Sequence, residues 1–411
     1  MNVSVGLIEG QAAVEAELTG AFADTAGKPY APGRHRFTSE VTLVPSDPAS
    51  CAFALDDVTI GIGFHWERKE RQVFRGGFRL AKRAAGLTVI NDVALEEYVT
   101  SVISSEMSAS CPLELLKAHA VISRSWLWFP KANPSALETR PSRGLDSHEV
   151  VRWYGREAHP DFDVCADDHC QRYQGITKAF SPTAAQAVRA TAGEFLRYHG
   201  AICDARFFKS CGGMTERYAT AWEDEDIPYL ESVYDGPLNS GQGLPPYDSP
   251  EEWIRSTPPA YCNTHDAELL ARVLPGFDQE TRDFYRWQVA YTPEELADLI
   301  KTRLAADLGP IRDLQALARG PSGRIYRLKI TGEREYIIVG KELEIRRALS
   351  RTHLYSSAFV VDQEPGRIVL TGAGWGHGVG LCQIGAAVMA NEGKTYIEIL
   401  RHYYRGTSVS A

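Results

Sequence analysis

The chain has 411 residues, of which 44% are hydrophobic and 24% charged, and a formal net charge of -9. It can bury a large core and hold two or three domains, while its acidic balance argues against a broad electrostatic grip on nucleic acid. No stretch approaches the roughly 20 uninterrupted apolar residues of a membrane span, the N-terminus lacks the basic-then-apolar pattern of an export signal, and eight cysteines are too few for a disulfide scaffold at this length.

Residues 1–8 read as a strand, and residues 36–43, 58–66, 72–80 and 87–93 follow as short apolar or alternating runs broken by Gly, Pro or charged turns. From 94 to 128 the period becomes helical. It is interrupted at 108–112, where a Ser or Cys cap followed by Pro112 at the first helical position starts a second helix, so the region reads as a helix-turn-helix unit. Residues 130–173 form a loop excursion rich in Pro, His and charge. A helix is expected at 182–192, a surface loop between 235 and 259, a helix at 293–304, a strand at 324–331 and a helix near 342–349. The Gly-rich segment 372–385 is expected to contain the start of another helix. Strands and helices alternate in no regular βαβ order, which makes the fold class α+β, with mixed, largely antiparallel sheets.

In the first helix the apolar stripe is Leu95, Tyr98, Val99, Val102 and Ile103, and Glu106 continues it about three turns after Leu95. Glu96 and Glu97 face away. A carboxylate among apolar groups has a raised pKa and keeps a proton near neutrality, as a general acid for glycosidic cleavage requires. The alternative is that the helix ends here and Glu106 meets solvent. In the second helix Arg124 shares a face with Leu113, Leu116, Ala120 and Leu127. It could hold a sugar, or it could be an amphipathic stem with its head in water. In a tight hairpin it would lie about 15 Å along the axis from Glu106, too far for direct pairing.

His159, Cys165 and Cys170 fall within twelve residues of a loop, a donor set that suits Zn2+, with His148, His169 or a water in the fourth place. Unlinked surface residues or a Cys165–Cys170 disulfide are the alternatives. Cys203, Cys211 and Cys262 are further candidates for pairing, with no bridge assigned. The segment 207–216 ends a strand in small residues and a turn. The segment 371–380 sets Trp375 and His377 among five glycines, which suits sugar stacking or a glycine-rich corner with a core Trp equally well. No serine nucleophile elbow and no His-Glu-x-x-His helix is present.

Leu95-Glu96-Glu97-Tyr98 leading to Ser105-Glu106-Met107, Pro112 to Arg124, Cys170-Gln171-Arg172-Tyr173, Gly212-Gly213-Met214-Thr215-Glu216, Ser322-Gly323-Arg324, and Gly374 to Gly385 with Tyr403-Tyr404 together resemble the SpoIID/LytB family of stage II sporulation protein D and the amidase enhancers. The landmarks run from about residue 3 to 408. They imply one family region over 1–411, with a β-rich part at about 1–93, catalytic helices and metal loop at about 94–235, and an insertion and C-terminal part at about 236–411. The resemblance implies a peptidoglycan lytic transglycosylase with Glu106 as its catalytic acid in a substrate cleft. Arg124, Tyr173, Lys209, Ser210, Glu216, Trp375, His377 and Gln383 would contact the glycan strand, and His159, Cys165 and Cys170 would bind a structural Zn2+. The alternatives are a non-catalytic wall-binding module that enhances a cell-wall amidase and a hydrolase using water. An extracytoplasmic location follows from the substrate, despite the missing signal. The sequence departs from the family pattern at Ser108 for Pro, His119 for Gln, and Ser123-Arg124-Ser125-Trp126 for Ala-Arg-Thr.

Overall fold

Alternating apolar residues in the first strand, Asn2–Gln11, give it one buried face, with Val3 and Val5 almost wholly enclosed. In this computed structural model, which describes residues 1–63, 67–134, 145–146, 148–156, 159–237, 249–276, 278 and 283–411, that strand sits near one edge of a seven-stranded sheet. It pairs antiparallel with Gly86–Ala94 and parallel with the two-residue strand Val164–Cys165, which places the expected metal loop on the sheet edge. Gly86–Ala94 in turn pairs antiparallel with Gly77–Arg83. A four-stranded sheet, containing Val14–Thr19, Ala52–Ile60 and Arg68–Arg75, completes the β-rich start.

The expected strand at 72–80 is two strands, Arg68–Arg75 and Gly77–Arg83, split at Gly76, whose φ of 90° turns the chain. The expected strand at 36–43 likewise divides into Gly33–Phe37 and Val41–Pro45. Residues 64–66 of the run at 58–66, and most of the loop expected at 235–259, lie outside the described residues.

Two helices follow the last strand of the sheet directly. The helix α1, Leu95–Glu106, has no side-chain cap, but the Leu95 N–H donates to the Met1 carbonyl, and Glu96 and Glu97 place negative charge at its positive end. The helix α2, Leu113–Ala132, begins one residue after Pro112, so that proline is the cap and not the first helical residue. Both faces of α2 are enclosed between residues 115 and 127, so it runs through the core. This core continues from the N-terminal strands through α1 and α2 to the helices Gln383–Asn391 and Tyr396–Tyr403.

A second core, around Trp287, Ile300, Leu328, Ile345 and Phe359, lies between a five-stranded and a three-stranded sheet. There Pro293–Leu304 is a helix with a capping box from Thr292 and Glu295. The strand Ile325–Gly332 and the helix Glu342–Ala348 match the sequence expectations to within a residue or two. The mixed helices and antiparallel-rich sheets make the fold α+β. A short parallel pair, Phe207–Phe208 with Leu381–Cys382, joins chain segments more than 170 residues apart. No helix among the described residues is long and apolar enough to cross a membrane.

Candidate functional site

The last residue of α1 is Glu106, and its placement follows from how the helix tolerates polar groups. Thr100, Ser104 and Ser105 sit on or beside the enclosed surface because each hydroxyl donates back to the carbonyl four residues earlier, at 2.7–2.8 Å. Tyr98, Val99, Val102 and Ile103 fill the core, and Glu106 continues their stripe with 9% of its surface exposed. The helix does end here, yet the carboxyl group does not escape into bulk water. Its Oε1 accepts the Arg172 backbone N–H at 2.9 Å.

Burial is the main influence on this carboxyl group and pushes its pKa up to about 7, with the Asp168 charge acting in the same sense. The Arg172 guanidinium and Lys209 oppose the rise without cancelling it. Arg172 is drawn off by Asp168, whose Oδ1 lies 2.5 Å from its Nε. Lys209 is drawn off by Asp278 at 2.7 Å, while its Nζ also donates to the Glu106 backbone carbonyl at 3.3 Å. Two cations therefore stand at the site, each with a closer anion elsewhere. Glu106 keeps a proton near neutrality and has one fixed dipole to hold its orientation, which equips it to give a proton and take one back.

Arg124 lies inside the protein and not on a sugar-binding surface. It is fully buried, and its Nη2 lies 2.7 Å from Glu96, with Nε also donating to that carboxylate. The remaining guanidinium donors reach the Val188 and Glu194 carbonyls and Thr191 Oγ1. Glu96 therefore does not face away: it reaches across the helix hairpin to neutralise a cation buried inside α2. Every direction in which a glycan could approach Arg124 is occupied by protein.

The departure at His119 also lies inside. The Gln383 amide donates to its Nε2 at 3.0 Å, which leaves Nδ1 to donate to Ser123 Oγ at 3.1 Å. Burial, reinforced by the Lys209 charge, lowers the His119 pKa to about 3, so the ring stays neutral. Gln383 is thus committed to His119.

Tyr173, Ser210 and Glu216 are similarly enclosed. The Tyr173 hydroxyl donates to Asn91 at 2.5 Å and its ring stacks on Tyr98. Ser210 pairs with Trp375 through the backbone. Glu216 accepts from the Ser322 hydroxyl, the Ser322 and Arg217 N–H groups and Thr220. The structure thus makes Arg124, Tyr173, Ser210, Glu216 and Gln383 internal supports instead of residues a glycan could touch.

Lys209, Trp375 and His377 remain partly exposed. Trp375 stacks on Phe284 with ring centroids 4.9 Å apart, and His377 lies edge-on to Trp222 and Phe208. The glycines around them do not confer flexibility. A Cβ at Gly380 would fall 2.0 Å from the Arg206 carbonyl oxygen and one at Gly212 2.7 Å from the Gly374 nitrogen, so two chain segments press together there. The segment is a tightly packed corner with a half-buried Trp.

In the expected metal loop, His159, Cys165 and Cys170 come together and His169 joins them, all four ligand atoms lying within 4.8 Å of one another. His159 Nε2 is 3.4 Å and His169 Nδ1 3.5 Å from Cys170 Sγ. His148, the other candidate for the fourth place, instead stacks on Tyr336. A pocket of about 200 Å³ opens beside the cluster, lined in part by Trp126, Arg156 and Phe162. The loop also supplies Asp168 and Arg172 to the surroundings of Glu106. Sequence reasoning gave those two no role, although Arg172 lies in a quoted motif. Asp278 gave no sequence signal at all, because its partner Lys209 is 69 residues away in the chain.

Residues 83–198 match the family model described as "Stage II sporulation protein" (SpoIID), and residues 216–380 match a domain of unknown function, DUF8618. The chain is 28% identical over 321 residues to stage II sporulation protein D of Bacillus amyloliquefaciens, covering 78% of this chain and 75% of that protein. It is 27% identical over 327 residues to stage II sporulation protein D of Bacillus subtilis (strain 168), covering 78% and 76%. The amidase enhancer of the latter organism is 24% identical over 320 residues, covering 75% of this chain and 40% of that protein.

Proposed function

Because this chain carries a SpoIID-family domain at residues 83–198, we propose that it is an extracytoplasmic lytic transglycosylase that cleaves peptidoglycan glycan strands to anhydromuramic products. The reading rests on one observation, the anchored Glu106 carboxyl group that keeps its proton near neutrality. Glu106 protonates the leaving glycosidic oxygen as the bond to the anomeric carbon breaks. The same carboxylate then removes the proton from the sugar's own 6-hydroxyl as that oxygen closes on the anomeric carbon. One acid/base suffices, unlike the two carboxylates of a hydrolase. Of the residues proposed to contact the sugar chain, Lys209, Trp375 and His377 are the ones with exposed surface available to it.

His159, Cys165, His169 and Cys170 would hold Zn2+, since two thiolates and two imidazoles within 4.8 Å are a donor set that borderline-soft Zn2+ prefers. The ion would staple the loop, and that loop presents the Arg172 N–H to Glu106. With four protein ligands no position is left open for a reacting group.

The relative named amidase enhancer favours a second reading, in which the chain binds glycan and assists a cell-wall amidase without cleaving. Mass spectrometry of glycan strands incubated with the protein separates the readings. Products lighter than hydrolysis products by one water, absent with Glu106→Gln, are expected. Hydrolysis-mass products would replace the reading with a hydrolase, and tight binding with no product at all would favour the amidase role.

A further inference from the structure

Behind the Lys209 turn, four groups with metal-ligand chemistry converge from four separate segments. Cys211 lies just after the strand Phe207–Phe208, Asp235 and Cys262 lie in loops, and Cys382 caps the helix Gln383–Asn391. Their ligand atoms all lie within 4.8 Å of one another, and all four residues are buried. Cys211 Sγ is 3.4 Å from Cys262 Sγ and 3.2 Å from Asp235 Oδ2. A tetrahedral Zn2+ site, with bonds of about 2.3 Å to sulfur and 2.0 Å to oxygen, sets its ligand atoms about 3.5–3.8 Å apart. A disulfide needs sulfurs about 2.0 Å apart, and all three cysteines are free thiols.

We propose that Cys211, Asp235, Cys262 and Cys382 form a second metal centre, a closed structural site for Zn2+ that braces the turn carrying Lys209 and the helix carrying Gln383.

Two of the three sulfurs, those of Cys211 and Cys382, accept backbone N–H groups as a metal-bound thiolate does. The Cys211 and Gly385 N–H groups point at Cys382 Sγ at 3.3 and 3.4 Å, and the Gly213 N–H points at Cys211 Sγ at 3.3 Å. Such donors, including the free N–H groups of a helix start, favour thiolate over thiol. Asp235 is oriented as a ligand would be, with Oδ1 accepting from the Tyr403 hydroxyl at 2.6 Å and Oδ2 from the Cys262 N–H at 3.1 Å. Among the described residues no lysine or arginine forms an ion pair with it, and only the His402 ring approaches, at 4.0 Å. A carboxylate enclosed among thiols without a cation is costly, and a divalent ion removes that cost.

A bound cation would also lower the buried negative charge, although Arg324 nearby faces the Glu342 and Glu216 carboxylates as well. Three thiolates and a carboxylate around a doubly charged cation leave two negative charges. Two guanidinium groups lie alongside, Arg324 donating to the Cys211 carbonyl at 3.3 Å and Arg286 to the Gly212 carbonyl at 2.9 Å. The space is tailored as well: a Cβ at Gly385 would fall 2.4 Å from the Tyr403 hydroxyl and 2.6 Å from Asp235 Oδ1. A core of inert thiols would require neither the carboxylate nor the N–H groups aimed at sulfur.

Metal analysis of the full chain, purified with Zn2+ present, tests this. The loop variant Cys165→Ser/Cys170→Ser leaves the buried group intact and is expected to retain one zinc per chain. Loaded with Co2+, that variant should show the near-ultraviolet absorption of thiolate-to-cobalt charge transfer, and adding Cys262→Ser should abolish it. A loop variant that folds but retains no metal would overturn the proposal. So would an intact mass two hydrogens lower than expected, the mark of a disulfide. A wild-type chain and a loop variant that each hold one zinc would support the buried centre and count against the loop site alone.

Discussion

The carboxylate of Glu106 accepts the backbone N–H of Arg172 at 2.9 Å, while the side chain of Arg172 turns to Asp168. The acid is thus held by a peptide dipole and not by an ion pair. An ion pair at that distance would stabilise the charged form strongly and leave no proton to donate. Separating the anchor from the charge lets the carboxyl group be fixed in place and still protonated.

A pH dependence follows. The Glu106 pKa rises from 4.5 to about 7 on folding, so the folded state holds this proton more tightly than the unfolded chain. The stabilising contribution is complete below about pH 4.5 and is lost as pH rises through about 7. Glu106→Gln does not titrate, so it should match the wild type near pH 4.5 and exceed it at pH 8 by on the order of 3 kcal/mol. Urea unfolding at the two pH values measures the difference, and a pH-independent gap would contradict the burial argument. Wild-type cleavage should fall over the same range as the proton is lost.

Arg124→Ala would take a donor away from the Val188 and Glu194 carbonyls inside the protein and remove the buried partner of Glu96, at an expected cost of about 3 kcal/mol or more. Arg124→Lys keeps a charge but not the planar fork, and should cost about 1–2 kcal/mol. If Arg124 is an internal support, the Lys variant should show an unchanged KM for glycan strands wherever it is folded. A large KM effect without loss of stability would restore the sugar-contact role.

His119 is neutral when folded, with a pKa lowered from 6.5 to about 3, whereas the unfolded chain binds a proton below about pH 6.5. Its contribution is therefore lost as pH falls from about 6.5 toward 3. His119→Gln, which can still hydrogen-bond to Gln383, should flatten the stability profile over that interval, by on the order of 3 kcal/mol between pH 7 and pH 4. Melting temperatures across this range read the effect, and parallel profiles would show that burial of the ring is incomplete.

Loss of the loop metal should act locally. In Cys165→Ser/Cys170→Ser, backbone hydrogen exchange is expected to rise across 159–173 while the enclosed part of α2 stays protected. Cleavage should fall because the Arg172 N–H no longer holds Glu106. Unchanged exchange in the loop would argue that no ion staples it.

What the sequence revealed depended on distance along the chain. The stripe from Leu95 to Ile103 is a local pattern, and it placed Glu106 correctly on the enclosed face. The twelve-residue span from His159 to Cys170 is also local, and it presents three of the four clustered groups as ligand candidates, with His169 among the candidates for the fourth. The Glu96 contact is hidden from periodicity, which reports the direction of Cα–Cβ and not the reach of a carboxylate across to the next helix. Polar residues such as Glu216 and Gln383 look like surface chemistry in sequence. Their partners, Ser322 and His119, are more than 100 residues away and cannot be seen from either end.

The short pairing of Phe207–Phe208 with Leu381–Cys382 has a practical meaning for anyone cutting this gene into pieces. The stretch at 83–198 has a recognisable signature, but excised it would lose the strand Asn2–Gln11, which lies between Val164–Cys165 and Gly86–Ala94, on one side and the Lys209 and Gln383 supports on the other. Recognition by homology and autonomy in folding part company here. An expression strategy built on the signature alone should yield insoluble material, whereas the uncut polypeptide should not.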